Sequence, residues 1–113
     1  MSDIDPTPLE KSLLGILHQL RGAKGFPMPS EVLVVSRENT GAERYVSLKR
    51  ADRYEMADGH YNLGGKCIEI EMEDIPHGLM AVARVAGSHL VEIEIAAYGG
   101  YDWDGSERQW SIR

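Results

Sequence analysis

Glu69, Glu71 and Glu73 alternate with Ile68, Ile70 and Met72 in the stretch CIEIEMED (67–74), and Glu92 and Glu94 repeat the pattern in LVEIEI. Carboxylate oxygens that converge can hold Ca²⁺ or Mg²⁺. Successive glutamates on one strand face, however, stand about 6.5–7 Å apart along the strand, which is poor geometry for a single ion. The rows read instead as the wet face of a sheet, or as a docking face for a basic protein. Asp102-Trp103-Asp104-Gly105 has the look of the middle of an EF-hand loop, but placing Gly105 at the loop's invariant glycine puts Gly100 and Ser111 where acids are required. Gly64-Gly65-Lys66-Cys67 fails as a phosphate loop: His60 stands where a glycine belongs, Cys67 where Ser or Thr belongs, and a strand follows instead of a helix.

Cys67 lies near His60 and His77 in sequence, the company a thiol nucleophile needs. A single cysteine opening a strand is ordinarily inert, and His18, His60, His77 and His89 share no metal-ligand spacing. No catalytic residue, metal or cofactor is therefore assigned. The C-terminal AAYGGYDWDGSERQW gathers Tyr98, Tyr101, Trp103 and Trp110 beside glycines and acids. These types anchor interfaces and also close the ends of small cores. The residues singled out for binding a partner are Glu69, Glu71, Glu92, Glu94, Tyr98, Tyr101 and Trp103.

Charge favours the same half of the chain. The net charge is −6, with 12 Lys/Arg against 18 Asp/Glu. Residues 1–66 carry nine of each sign, while residues 67–113 carry three basic and nine acidic. Such a surface repels a phosphate backbone, which argues against nucleic acid and points to a basic partner. No apolar run approaches the roughly 20 residues that span a bilayer, and the acidic start, MSDIDPTPLEK, lacks the plan of a signal peptide. One cysteine excludes an internal disulfide. A reduced, cytoplasmic setting is the expectation.

The elements that must position these residues belong to a single domain, 1–113, with a flexible N-terminus (1–6), a helix (7–22) and a β-rich part (31–113). Thr7-Pro8-Leu9-Glu10 has the spacing of a capping box with proline at the first helical position. Leu9, Leu13, Leu14, Ile16, Leu17 and Leu20 follow at helical spacing, and Gly22 stops the run. Gly15 is either a cost of about 1 kcal/mol against alanine or a mark of close approach to a sheet. EVLVVSR (31–37) and RYVSLKR (44–50) form a hairpin about the turn at Glu38–Ala42. The segment 51–66 is irregular. LMAVARVAGSHLVEIEIAAY is a second hairpin, turning at Gly87-Ser88 in type II′ geometry.

That turn sets a register. It pairs Val85 with Leu90, Ala83 with Glu92 and Ala81 with Glu94 on the outer face, and Val82 with Ile93 and Met80 with Ile95 on the core face. Strand 67–73 then joins as the third member of a meander, with Ile68, Ile70 and Met72 inward and its glutamates outward.

A leucine-rich helix followed by VVSRENTG, IPHGLMAVARVAGSHL and IEIAAYGGYDW resembles a group of small uncharacterised bacterial proteins, in which L-E-x-x-x-Y-G follows a tight hairpin and leads to a Trp. Glu94, Tyr98, Gly99 and Trp103 are the matching positions. Where the group tends to have proline after the Trp, this chain has Asp104-Gly105. The resemblance implies α+β topology and no mechanism.

The fold expected is α+β, one helix on one face of a largely antiparallel sheet of about five strands. The function expected is a non-catalytic interaction protein that masks a basic partner, as immunity proteins do, or that self-associates as a homodimer. A second expectation, from another class, is a small-molecule or enzymatic pocket between the 51–66 loop and Tyr98–Trp103.

Overall fold

The computed structural model describes residues 4–21, 29–49, 57–63 and 69–112. Helix α1 (Pro8–Arg21) lies on one face of a seven-stranded antiparallel sheet. The strands are β1 (Val34–Asn39), β2 (Glu43–Leu48), β3 (Gly59–Asn62), β4 (Ile70–Met72), β5 (Ile75–Ala86), β6 (His89–Ala97) and β7 (Trp110–Ile112). They run in the order β1-β2-β6-β5-β4-β7, and β3 pairs with β5 beside β4. The α+β class is as expected; the sheet has two strands more than the five expected, because β3 and β7 are short segments inside stretches that read as turns. No helix among the described residues is long and apolar enough to cross a membrane.

The helix begins as its sequence dictates. Glu10 N–H donates to Thr7 Oγ1 at 3.3 Å, and Thr7 N–H donates to Glu10 Oε1 at 3.0 Å, the reciprocal bonds of a capping box. Pro8 has no N–H to satisfy, and Leu9 N–H donates to Glu107 Oε1 at 3.2 Å. Lys11 N–H then opens the regular ladder on Thr7 O. Every N–H that a helix start leaves open is thus accounted for. Leu9, Leu13, Leu14 and Leu17 are fully buried against the sheet, each such side chain contributing about 1.5–3 kcal/mol. Gly15 makes no close approach to the sheet: a methyl group there would meet the ring of Pro29 at ordinary contact distance, 3.7 Å.

Residues 4–6, expected to be flexible, run along β1. Ile4 and Val34 exchange both backbone hydrogen bonds, Arg37 donates to the Asp5 carbonyl, and Pro6 is buried.

The hairpin of β5 and β6 differs from the register expected for it. Gly87 and Ser88 both have positive φ, 60° and 67°, which is a type I′ turn and not type II′. Val85 still faces Leu90, but Arg84 faces Glu92, so Val91 is an extra residue in β6. A bulge of one residue exchanges the two faces of everything beyond it. Ala83 therefore faces Ile93 and Ala81 faces Ile95, all fully buried, while Arg84, Val82 and Met80 stand on the outer face with Glu92, Glu94 and Ala96. The expected core pairs Val82–Ile93 and Met80–Ile95 do not form. Ala81 and Ala83 thereby join the leucines of α1 in one hydrophobic core cluster.

Burial alternates as expected through β4 and its flanks, Ile70 and Met72 buried and Glu69, Glu71 and Glu73 exposed. Its pairing with β5 skips two residues between Ile75 and Leu79. Gly78 has φ +74° there, and a side chain would overlap the Ile70 carbonyl oxygen, so only glycine fits the crossing. Cys67 and Ile68 lie outside the described residues.

Candidate functional site

The face of the sheet away from α1 carries the carboxylates. Strand β2 pairs with β6 so that Tyr45 faces Glu94, Ser47 faces Glu92 and Glu43 faces Ala96. Tyr45 Oη donates to Glu43 Oε2 at 2.8 Å. That bond first, and a hydrogen bond with Glu94 second, hold the Glu43 carboxyl below the usual range. Burial, then the hydrogen bond with Glu43, then the charges of Glu43 and Glu92 push Glu94 up. The bond to Glu43, followed by burial and the surrounding carboxylates, pushes the Tyr45 hydroxyl up to about 12. The three shifts have one setting: Glu43 and Glu94 crowd together on this face and Tyr45 bonds to Glu43, so the charge is favoured on Glu43 and disfavoured on Glu94. The neighbouring Arg84 reaches Glu92 at 3.5 Å, an exposed pair of little energetic weight. This half of the face is a crowd of carboxylates, with Met80 and Val82 half-buried beside it.

Glu71 stands on β4 and Glu69 just before it, two strands from β6, about 10 Å away at normal strand spacing. Among the described residues no group of three or more His, Cys, Asp or Glu could hold a metal ion, so the two rows do not converge. Beside them opens a cavity of about 600 Å³, bounded by Glu69, by Ile70–Met72 of β4, by Ile75–Leu79 of β5, and by Tyr98. His77 stands in its wall, and its ring meets the Tyr101 ring at 5.2 Å between centroids. Tyr98 follows β6 in a short turn in which Gly99 has φ +73°.

The aromatic segment divides. Tyr101 is exposed, Tyr98 half-buried and at the cavity, and Trp103 only 1% exposed in the core. Trp103 thus offers no surface to a partner. Its N–H donates to Gly41 O and its indole N–H to Ser106 O, and the Arg44 guanidinium lies over its ring at 5.0 Å. The Asp102–Gly105 turn is built from its own bonds: Asp104 accepts from Ser106 N–H and from Arg108. Gly105 packs against Asn39 and its carbonyl accepts from Arg44 Nη2.

The pocket expected between the 51–66 loop and Tyr98–Trp103 is not the described one. Residues 51–56 and 64–66 lie outside the described residues, Trp103 is sealed in the core, and the cavity at Tyr98 opens instead against β4 and the start of β5. Sequence reading missed Glu43 and Tyr45, and weighed His77 only as company for Cys67 and as a metal ligand. The alternation in ERYVSL does mark Glu43 and Tyr45 as facing one way, but their partner strand β6 is some 50 residues on, and nothing local names it. His77 sits in IPHG, which reads as a break because its proline and glycine mark turns; here they shape an irregularity inside a 12-residue strand.

No family model matches this chain, and no curated protein or solved structure matches it. The site therefore stands on its own geometry: an acidic sheet face with a cavity at one end.

Proposed function

We propose that the chain is a non-catalytic binding module whose outer sheet face, around Glu43, Tyr45, Glu92 and Glu94, docks a basic protein. The observation that carries this reading is the register of β2, β6 and β5, which puts three carboxylates together beside Met80 and Val82, with Arg84 the one basic side chain of those strands on this face. A cationic partner relieves the repulsion from Glu43 and Glu92 that raises the Glu94 carboxyl, and Met80 and Val82 supply apolar contact between the charges. Charge complementarity of this kind raises association rates and selects partners by sign.

The test is co-purification with the tagged chain at low and high salt, comparing wild type with Glu92→Gln/Glu94→Gln and with an exposed control in the β4–β5 turn, Asp74→Asn. A basic protein retained by wild type and the control, released by salt and lost with the double variant is the expected result. Retention of nothing above background, or equal retention by the double variant, overturns the reading.

A further inference from the structure

The register orders the outer face into rows that cross its strands. One row passes from Glu38 on β1 through Tyr45 on β2 and Glu94 on β6 to Val82 on β5. Beside it run Ser47, Glu92 and Arg84 on one side and Glu43, Ala96 and Met80 on the other. The carboxylates thus fall on β1, β2 and β6, while Met80 and Val82 follow one another on β5, half-buried and about 6.5–7 Å apart along the strand. We infer that the segment docking here is an amphipathic basic helix, laid along β5 with its apolar stripe on Met80 and Val82 and its lysines or arginines over Glu94 and Glu43. The inference rests on the docking of a basic protein proposed above and adds the form of the segment that docks.

Three features select a helix. Strand addition needs a sheet edge, and β5 is paired with β6 on one side and with β3 and β4 on the other. A second sheet needs apolar side chains on adjoining strands, and on this face β1 and β2 present Glu38, Ser47 and Glu43 instead. An irregular loop laid on Met80 and Val82 would press backbone N–H and C=O groups against apolar surface without partners. A helix satisfies its own.

The dimensions agree. Residues i and i+4 of a helix stand about 6 Å apart along its axis, close to the spacing of Met80 and Val82. A helix about 10–12 Å across, centred on β5, reaches over β6, about 4.8 Å away, so a cation on that flank meets Glu94. Ala96, opposite Met80, is small enough for a long basic side chain to pass over it to Glu43 on the next strand. Arg84 already reaches Glu92 at 3.5 Å, which leaves Glu43 and Glu94, whose crowding raises the Glu94 carboxyl, as the pair that a cation relieves most.

The experiment is an amide NMR titration of the intact chain with three alanine-based peptides of about 18 residues, long enough to hold a helix. The first has leucine at i, i+4, i+7 and i+11 with lysine one residue after each. The second has the same residues in an order that forms no stripe, and the third is the first with glutamine for lysine. Saturable shifts centred on residues 43–45, 80–82 and 94–96 are expected with the first, and binding weaker by about tenfold or more with the other two. Met80→Gln/Val82→Thr, which keeps side-chain length and β-branching, should bring the first peptide down to the level of the second. Glu43→Gln/Glu94→Gln should bring it to the level of the third, both variants keeping the dispersed spectrum. Equal affinity of the first and second peptides at this face overturns the helix and leaves the docking of a basic protein standing. Equal affinity of the first and third, no effect of Met80→Gln/Val82→Thr, shifts centred elsewhere, or no binding by any peptide overturns the helix as well. In the last case a basic protein that co-purifies and is lost with Glu92→Gln/Glu94→Gln keeps the docking reading, and its absence sinks both.

Discussion

Glu10 and Arg37 meet in a two-pronged ion pair across 27 residues of sequence, Nε to Oε2 at 2.8 Å and Nη2 to Oε1 at 2.6 Å. The same carboxylate closes the capping box of α1 and takes Arg44 Nη1 at 3.2 Å, with the Glu10 side chain only 1% exposed. Arg44 passes the network on to Glu107 at 2.6 Å, and Glu107 returns to the helix at Leu9 N–H. Helix start, edge hairpin and C-terminal loop are thereby tied through two arginines.

Glu10→Gln keeps the shape and removes the charge, so Arg37 and Arg44 lose their shared counter-ion. The expected loss is roughly 3 kcal/mol, the low end for a broken buried pair, since Arg37 keeps some water and Arg44 keeps Glu107. Burial alone would raise the Glu10 carboxyl, but the hydrogen bonds from Arg37 and Thr7 and the charges of both arginines outweigh it and hold it below its ordinary 4.5. A depressed folded-state value means stability that is fully present above pH 4.5 and is lost as pH falls through that lower value. Urea unfolding of the variant should show both the loss at pH 7 and a shallower decline below pH 4.5. Equal stability at pH 7 would show the pair to be energetically idle.

Val91 is the residue that decides which side of β5 and β6 is core. With the bulge, Arg84 faces Glu92 and Ala83 faces Ile93. Deleting Val91 lets the pairing run straight from Val85–Leu90 into Arg84–Glu92, with every later residue on its present face. The deletion should therefore keep a cooperative fold and cost about 0.5–3 kcal/mol. Deleting Ile93 instead drives Glu94 into the core and should abolish folding. Circular dichroism and thermal melts of the pair of deletions decide the matter; loss of folding in both would mean the bulge is indispensable.

That single residue also marks where the sequence stops being informative. The capping box, the leucine face of α1 and the inward Ile70 and Met72 are all readable, because each is a local pattern with a period of its own. The direction of Ala81 and Ala83 is not, since it hangs on whether one valine is skipped. Nor does anything near Glu10 announce two arginines 27 and 34 residues away; as part of a capping box it had already received a sufficient explanation. Trp103 is a similar case, an aromatic in a Gly/Asp turn that serves a core as readily as an interface. Pairing between distant strands, β2 with β6, is what builds the Glu43–Tyr45–Glu94 cluster, and pairing is a property of the whole chain.

Two glycines should respond in opposite senses to the same change. Gly15 is interior to α1 with room for a methyl group at 3.7 Å from Pro29, so Gly15→Ala should stabilise the protein by about 0.5–1 kcal/mol. Gly78 has positive φ and faces the Ile70 carbonyl, so Gly78→Ala should cost at least about 2 kcal/mol from strain and overlap together. Chemical denaturation of both variants gives the comparison directly. A destabilised Gly15→Ala would mean that α1 and Pro29 pack more tightly than their separation implies.

Glu94 offers the clearest pH signature on the outer face. Burial, the bond with Glu43 and the charges of Glu43 and Glu92 raise it above its ordinary 4.5. The folded state then holds a proton that the unfolded chain has already released, so stability falls as pH rises from 4.5 through the raised value. Glu94→Gln keeps a donor for the Glu43 carboxylate and removes that loss. Its urea midpoint should exceed that of wild type at pH 7 and match it at pH 4, where Glu94 carries its proton in both states. If the midpoints coincide at both pH values, Glu43 and Glu92 do not disfavour the charge on Glu94, and the electrostatic motive for a cationic partner on this face goes with that repulsion.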